Sequence, residues 1–424
     1  MFHLLLLLFS VSTASSHVKR QAINPEVFPD RFWSTDRPIP YTFTLNFTNG
    51  EYKAMVSEAF KLIESSTCLI FEDVSEWSYH DGFDSMLMIV NGTEGCFTRG
   101  LGKSPDQLHT YINLGEECLY KDFIAHEILH TLGLDHTQNR ADRDDYIVVN
   151  EDALIPDYSN QYNRESEENF TSSGVPYDFN SIMHYAPSPF SESDMVARDE
   201  FYQFAMGSND YGPSHSDLLL VNRLYKCLDR CAPTKTVCKN EGFVHPKDCQ
   251  KCICPRGFTG AFCGEAELTI KGSGHACGGV QYVSNEPQSL TVTLGKNETC
   301  HYHLKASAGK RIEIDSIQLH KNDENCTNGL EVRLGNFLVG GYVFFCEGEL
   351  PKSALRSDGN LVVITLMTRG DEEEASFSLS FKTLLLEEAD PSTIQRNLAS
   401  TLYSSGQLAL AYTCLIAVLA LFTC

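Results

Sequence analysis

Apolar residues in the first half of the chain follow a helical period in one stretch and a strand period in others. Within residues 52–63 they recur every three or four positions, which predicts a helix with one face in a core. Residues 41–47 alternate apolar and polar side chains, the pattern of a half-buried strand, and residues 86–90 form a short apolar run typical of a central strand. We therefore expect an upper half built from strands and helices.

A second helical pattern, from Leu119 to Ile124, leads directly into the segment HEILHTLGLDH at residues 126–136. Beyond His136 the periodicity weakens, and Gly, Pro, Asn and Asp become frequent. We expect an irregular lower half there, in which cross-links matter because little regular core is available. A cleft would separate the two halves.

The last third of the chain returns to the strand period, with alternating stretches that begin at Leu290, Arg311, Leu330 and Leu361. This pattern predicts a β-sandwich. Residues 231–263, which precede it, contain six cysteines but too few apolar residues for a core, so disulfides must hold that segment together. A zinc ribbon is the alternative for this segment, but histidine is scarce within it.

The N-terminal end predicts export. Residues 1–16 combine a run of leucines with the small residues Ala14 and Ser16, as in a secretory signal and its cleavage site. Residues 17–20, a short propeptide candidate, end in the dibasic pair Lys19 and Arg20. This pair is either a processing site or an ordinary solvated charge.

The C-terminal end leaves three alternatives open. Residues 384–407 are polar and Ser-rich, as in a stalk, and residues 408–424 are apolar and uncharged. Small residues at 399–401 before a polar spacer resemble a GPI-attachment signal, in which the tail is removed. A tail-embedded helix and a simply secreted protein are the other two interpretations.

Composition limits the partners. A formal net charge of −23 argues against nucleic acid and against anionic membrane surfaces. Sixteen cysteines behind a secretory signal indicate an oxidising compartment. Acceptor motifs for N-glycosylation occur at Asn46, Asn91, Asn169, Asn297 and Asn325.

The candidate chemistry lies in the pattern H-E-x-x-H-x-x-G-x-x-H. On a helix, His126 and His130 are one turn apart on one face, where two imidazoles can hold one zinc ion. Gly133 can end the helix, so that the chain can turn and bring His136 up as a third ligand. Three protein ligands leave a position open for water, which marks a catalytic zinc site, and Glu127 could reach that water without binding the metal. The alternative, a solvated helix with three histidines and no metal, requires an eleven-residue coincidence.

A second motif, SIMHY at residues 181–185, accompanies the first. Together they resemble the astacin family of metalloproteases, and the resemblance covers roughly residues 21–227. The segment YDFNSIMHYAPSPFS from Tyr177 is similar to the family's Met-turn. The zinc helix is followed by a run similar to the family's R-x-D-R-D, here Arg140, Asp142, Arg143 and Asp144.

The resemblance implies an α+β fold, a two-lobed metzincin catalytic domain, with one zinc per chain. It implies that His126, His130 and His136 hold the zinc and that Met183 is the turn methionine beneath it. Tyr185 would be a further zinc ligand that leaves the metal and hydrogen-bonds the reaction oxyanion.

The resemblance extends to the two later units. Residues 228–264 resemble an EGF-like domain, and residues 277–383 resemble a CUB domain, an all-β sandwich. A plain spacer without a binding role is the alternative for the latter. The implied disulfide pairs are Cys68–Cys227, Cys96–Cys118, Cys231–Cys249, Cys238–Cys252, Cys254–Cys263, Cys277–Cys300 and Cys326–Cys346.

The chain departs from the family pattern near its start. Family members carry Glu directly after the third zinc histidine, where it helps bind the buried new N-terminus, but this chain has Thr137 there. No aspartate that could cap the zinc is found in residues 17–20. We hypothesise that cleavage after Arg20 exposes Gln21, which can cyclise and lose its charge, so that an acidic partner is not needed.

We interpret the chain as a secreted or surface-held zinc endopeptidase that hydrolyses internal bonds of extracellular proteins or peptides. Glu127 would act as general base and then general acid. The expected partners are these substrates and a protein ligand of the CUB domain. The alternative is an inactive protease fold that binds partners through its EGF-like and CUB modules. That alternative predicts a damaged His or Glu, and every one of these residues is intact.

Overall fold

The computed structural model describes residues 21–385 apart from residues 78–82, 93–94, 119, 188–193, 210, 271–275, 321–327, 346–349 and 370–373. The predicted signal, propeptide and C-terminal tail, the Cys326–Cys346 pair and Asn325 lie outside these residues. No helix in the described part is long and apolar enough to cross a membrane. Of the other glycosylation motifs, Asn46, Asn169 and Asn297 are exposed and Asn91 is half-buried.

The first module, residues 21–227, contains three α-helices, nine strands and several short 3-10 helices among its described residues. The helices are α1 (Gly50–Ser66), α2 (Lys121–Thr131) and α3 (His215–Leu224). The strands are β1 (Ala22–Ile23), β2 (Ile39–Phe43), β3 (Phe71–Asp73), β4 (Met86–Val90), β5 (Cys96–Thr98), β6 (His109–Leu114), β7 (Ile147–Val149), β8 (Phe170–Thr171) and β9 (Met195–Ala197).

The upper half of the first module is a five-stranded sheet in the order β3-β2-β4-β6-β5, with α1 and α2 packed in the same hydrophobic core. All neighbours are parallel except β5, which is antiparallel to β6. The helix α1 starts after Asn49, whose side-chain oxygen accepts hydrogen bonds from the N–H groups of Glu51 and Tyr52. Its buried face carries Val56, Ala59, Phe60 and Ile63, as the periodicity predicts.

The strand predicted over residues 41–47 is shorter and more deeply buried than expected. The strand β2 ends at Phe43, all five of its residues are buried, and Leu45 beyond it is fully exposed. Because all five consecutive residues of β2 are buried, both faces of this parallel strand are covered, which removes the half-buried character that alternation indicated.

The lower half is irregular, as predicted, and contains the two-stranded pairs β1–β8 and β7–β9 with the helix α3. Two disulfides join the cysteines that the resemblance paired. Cys68 at the end of α1 is bonded to Cys227 after α3, and Cys96 is bonded to Cys118. The first of these ties the end of the module back to its upper half.

The second module, residues 228–266, contains three disulfides and two short antiparallel strand pairs. Its strands are β10 (Phe243–His245), β11 (Asp248–Ile253), β12 (Phe258–Thr259) and β13 (Glu265–Ala266). Its disulfides are Cys231–Cys249, Cys238–Cys252 and Cys254–Cys263. The pair β12–β13 extends the module two residues past the predicted boundary at 264, because β13 completes this hairpin.

The third module, residues 268–385, is the predicted β-sandwich. Its sheets have the orders β14-β15-β17-β22-β19-β20 and β16-β23-β18-β21, and their inner faces share one hydrophobic core. Its strands are β14 (Leu268–Ile270), β15 (Ala276–Tyr282), β16 (Gln288–Gly295), β17 (Thr299–Lys305), β18 (Lys310–His320), β19 (Gly329–Arg333), β20 (Tyr342–Phe344), β21 (Leu355–Arg356), β22 (Leu361–Met367) and β23 (Glu374–Leu385).

The boundaries of this module differ from the predicted range of 277–383. It begins at β14, because Leu268 pairs with Gly278 of β15, and it ends with β23 at Leu385. The Cys277–Cys300 disulfide is formed between β15 and β17.

Removal of the Cys68–Cys227 disulfide is expected to destabilise the first module more than removal of Cys96–Cys118. The two bonds close loops with sequence separations of 159 and 22 residues. The chain-entropy model therefore gives losses of about 5 and about 3 kcal/mol, respectively. Calorimetry of the thermal unfolding of the two double serine variants measures which disulfide contributes more to stability. An unchanged melting temperature after loss of Cys68–Cys227 would contradict this account.

Candidate metal centre and active site

The helix α2 presents His126 and His130 one turn apart, and the chain then reverses at Gly133. The helix ends at Thr131, and Gly133 adopts a φ of +99°, a conformation that suits glycine. A side chain there would also press against Ile23, because a Cβ would lie 3.0 Å from its Cγ1. The reversal places His136 beside the two helical histidines.

The Nε2 atoms of the three histidines converge on one point. The distance from His136 Nε2 to His126 Nε2 and to His130 Nε2 is 3.2 Å in each case. Among the described residues, these histidines form the one group of three or more His, Cys, Asp or Glu side chains that could hold a metal ion. Their ligand atoms lie within 4.8 Å of one another. A single proton on His136 Nε2 could bridge one of these pairs but not both, so the arrangement calls for a cation.

Backbone carbonyls fix the tautomer of the two helical histidines. His126 Nδ1 donates to Ile182 O and His130 Nδ1 donates to Leu134 O, each over 2.8 Å. The proton therefore lies on Nδ1 and the lone pair of Nε2 faces the shared point, as in metal-binding histidines generally. Burial lowers the pKa of His126 and of His136. For His130, burial and the repulsion of a charge on the neighbouring His126 together lower the pKa to about 3. Three neutral imidazoles of this kind fit zinc.

Glu127 lies next to His126 on α2 but outside the ligand group. Its side chain is buried, and the Thr98 hydroxyl lies 2.9 Å from Glu127 Oε2 and 3.0 Å from its backbone oxygen. Burial raises the pKa of the Glu127 carboxyl to about 7, although the Thr98 hydrogen bond opposes this rise. Thr98 was not predicted from the sequence, because only the register of β5 above α2 brings it to Glu127.

The Met-turn is the second support of the histidines. The Ile182 carbonyl holds His126, and the Met183 carbonyl accepts a hydrogen bond of 2.9 Å from the N–H of Thr137. Met183 itself is fully buried. Asp217 of α3 fixes the turn, since it accepts from Ser181 Oγ at 2.6 Å and from the Ile182 N–H at 3.1 Å. Asp217 was also missed, because its role depends on the packing of α3 and no local motif marks it.

Tyr185 follows the Met-turn and lies against the third histidine. Its ring centroid is 4.3 Å from that of His136 and 6.0 Å from that of Tyr162. Its backbone N–H donates to Gln138 Oε1 over 3.1 Å. The predicted residue is therefore at the site, while its roles as ligand and oxyanion donor remain predictions.

The R-x-D-R-D run supports the loop behind the histidines. Arg140 is fully buried and forms two hydrogen bonds to Asp142, of 2.9 and 3.1 Å. Its Nη1 and Nη2 groups also donate to the Val175 carbonyl, and Nη1 donates to the Pro176 carbonyl. This run is thus a structural support and lies outside the ligand group.

The N-terminal residue of the described chain is built into the same loop. Gln21 is 3% exposed, and its Nε2 donates to Thr137 Oγ1 over 2.9 Å. Its Oε1 accepts from Arg140 Nη1 over 3.2 Å, and its carbonyl accepts from the Asp135 N–H. Thr137, which stands where the resemblance expects Glu, therefore contacts a neutral amide in this chain.

Comparison with known proteins identifies a family of peptidases. Residues 26–226 match the family model described as Astacin, a peptidase family. The chain is 32% identical over 359 residues to zinc metalloproteinase nas-27 of Caenorhabditis elegans, covering 79% of this chain and 81% of that protein. It is 29% identical over 380 residues to zinc metalloproteinase nas-29 of the same species, and this match covers 87% of this chain and 68% of that protein.

Among solved structures, the chain is similar to high choriolytic enzyme 1, a hatching enzyme zinc-protease from the medaka fish Oryzias latipes. The identity is 25%, the match covers 48% of this chain and 98% of that chain, and the TM-score is 0.42. The match to nas-27 extends over most of both proteins. The residues that match the family model include the segment with the three histidines. This chain therefore belongs to the astacin family of zinc metalloproteases.

Proposed function

We propose that this chain is an extracellular zinc endopeptidase that hydrolyses internal bonds of proteins or peptides with Glu127 as its general base. The observation that carries the proposal is the convergence of three neutral imidazoles, with the Glu127 carboxyl on the same helix. Every residue that the chemistry needs is present, which weighs against the alternative of an inactive binding protein.

The cofactor is zinc, which the Nε2 atoms of His126, His130 and His136 would hold. When bound, it supplies a Lewis acid that polarises the scissile carbonyl and lowers the pKa of a coordinated water. The proton transfers and the stabilisation of the oxyanion are assigned to side chains of the protein.

Glu127 moves the proton. Its carboxylate accepts a proton from the attacking water as the new C–O bond forms, and it later delivers that proton to the leaving amine as the C–N bond breaks. Thr98 holds Oε2 of this carboxylate by its hydroxyl and so limits the rotation of the side chain. The contact supports a role for Thr98 as a positioning residue.

Tyr185 is the proposed oxyanion donor. A hydroxyl that donates to the developing negative charge stabilises the transition state, and one such donor is typically worth about 3 kcal/mol. The position of its ring against His136 and the hydrogen bond of its backbone to Gln138 support this role.

The edge of the upper sheet supports an extended substrate. The strand β5 is last in its sheet, and among the described strands it pairs with β6 alone. A polypeptide can add to such an edge by backbone hydrogen bonds, which places an internal bond in the cleft instead of a chain end. Thr98, the last residue of β5, connects this edge to Glu127.

Export and modular partners complete the proposal. Six disulfides among the described residues fit an oxidising compartment. The disulfide-held second module and the sandwich of the third support the EGF-like and CUB assignments, and the third module could carry a protein ligand. GPI attachment through residues 408–424 stays a proposal on the sequence pattern.

Glu127→Gln is expected to keep zinc and to lower kcat/KM by about 1,000-fold or more, because the amide cannot accept the proton of water. Zinc content by mass spectrometry and cleavage of a denatured protein measure the two effects. Glu116→Gln, an exposed change just before α2, is the matched control. Near-normal cleavage by Glu127→Gln would overturn the proposed mechanism.

Thr98→Val is expected to lower kcat about tenfold with little change in KM, because Glu127 loses its orienting hydroxyl but the cleft keeps its shape. Thr98→Ser restores the hydroxyl and should recover most of the rate. Steady-state kinetics on one peptide substrate separate kcat from KM. Equal losses in both variants would contradict this role, because the serine hydroxyl would then fail to orient Glu127.

The secreted chain is expected to begin at Gln21 without a free amine. The α-nitrogen would bond to Cδ and the Cδ–Nε2 bond would break, releasing ammonia and keeping the Oε1 that Arg140 contacts. The backbone nitrogen of Gln21 donates to the Thr171 carbonyl over 2.9 Å, so a buried ammonium there would face a neutral partner in place of a carboxylate. N-terminal mass spectrometry should find a mass lower by one ammonia, and a free amine at another first residue would contradict the hypothesis.

A further inference from the structure

The lower half of the first module does not complete its hydrophobic core alone. Val343 of β20, in the third module, is 2% exposed and belongs to this core, and Phe345 packs against it. Tyr185 also lies at the margin of the same cluster. The first-module members of the cluster are Ile147, Tyr177, Phe179, Met195, Ala197, Ala205 and Met206.

Hydrogen bonds accompany this shared core. The N–H of Gly340 donates to Asp178 Oδ1 over 3.0 Å, and the Tyr342 hydroxyl donates to Asp199 Oδ2 over 2.8 Å. The Tyr342 ring lies 4.6 Å from that of Tyr202. The contact is therefore both apolar and directional, which is characteristic of a fixed interface.

Asp178 lies at the start of the Met-turn. The same Oδ1 accepts from the Asn180 N–H at 3.0 Å, and the Asp178 backbone oxygen accepts from the Ser181 N–H at 3.3 Å. The next residue, Ile182, provides the carbonyl that holds His126 Nδ1. A short covalent and hydrogen-bonded path thus leads from Gly340 to a zinc ligand.

The loop that carries Gly340 is itself held on its other side. Glu241 of the second module accepts hydrogen bonds from the N–H groups of Phe337 and Leu338. Glu331 accepts from the Gly341 N–H at 2.8 Å and from Arg256 of the second module at 2.7 Å.

The Glu331 carboxylate is buried between two arginines, of which Arg333 is buried and Arg256 is partly exposed. Arg333 joins Arg256 beside this carboxylate, with 3.7 Å between Arg333 Nε and Glu331 Oε1. Burial would raise the pKa of Glu331, but the two arginines lower it to about 2. The loop is therefore anchored at a charged site that stays ionised at neutral pH.

We propose that the third module is a part of the catalytic unit, in which β20 and residues 337–341 support the Met-turn and thereby the zinc ligand His126. Gly340 and Asp178 are positioning residues in this arrangement. One consequence is that the β20 edge of the sandwich is occupied by the first module, so that a protein ligand of the third module binds to another face. The inference rests on the proposed zinc site and is independent of turnover.

Gly340→Ala is the direct test in the full chain. A Cβ at this position would lie 2.2 Å from Asn180 Cβ and 2.6 Å from its Nδ2, so the loop must move away from the Met-turn. Gly359→Ala, in the same module, is the matched control, because a Cβ there meets nothing within 4 Å.

The readouts are zinc affinity, by competition with a chromophoric chelator, and hydrogen exchange of residues 178–183. Gly340→Ala should raise the zinc dissociation constant about tenfold, as loss of outer support does at metal sites, and should speed exchange in the Met-turn. Gly359→Ala should change the dissociation constant by less than about twofold, because it leaves that support in place. Equal behaviour of the two variants would overturn the inference.

A second variant keeps the test decisive if Gly340→Ala does not fold. Val343→Ala shortens a side chain in the shared core and leaves the backbone intact, and it should also weaken zinc binding and loosen the Met-turn. Unchanged values in this variant would contradict the inference. Neither readout needs turnover, so an inactive wild-type chain whose variants still lose zinc would reject the proposed function and support this inference.

Discussion

Two hydrogen bonds from histidine Nδ1 atoms to backbone carbonyls are the constraint on which the site depends. Ile182 O and Leu134 O fix the rings of His126 and His130, so that each Nε2 lone pair faces His136. These carbonyls belong to the Met-turn and to the reversal after α2, two segments far apart in sequence. Any movement of either segment turns a ring and removes a ligand atom from the shared point, because an imidazole binds a metal only along its lone pair.

The irregular lower half explains why so much of the chain serves that constraint. Short strands and 3-10 helices provide little cooperative structure of their own, so the Met-turn is stabilised from outside. Asp217 of α3 holds it from one side, and Thr137 connects it to the loop where Gln21 is buried. The third module supplies Val343 to the hydrophobic core of this lower half.

The sequence was informative where function needs fixed spacing and uninformative where it needs packing. His126, His130 and Glu127 were predictable because helical spacing alone puts them together. The helix α1 and the sandwich strands were predictable from periodicity. Thr98 and Asp217 were not, since each meets its partner through tertiary register, and the short β2 was missed because alternation cannot report that both faces are covered. Gly340 carries no local signal at all.

If three imidazoles hold one zinc ion per chain, X-ray absorption at the zinc edge should detect them directly, on purified protein with its metal content measured in parallel. We expect one zinc per chain, a first shell at about 2.0–2.1 Å and the outer-shell scattering of imidazole rings. A protein without zinc, or a first shell at the longer distance of sulfur ligands, would contradict this expectation.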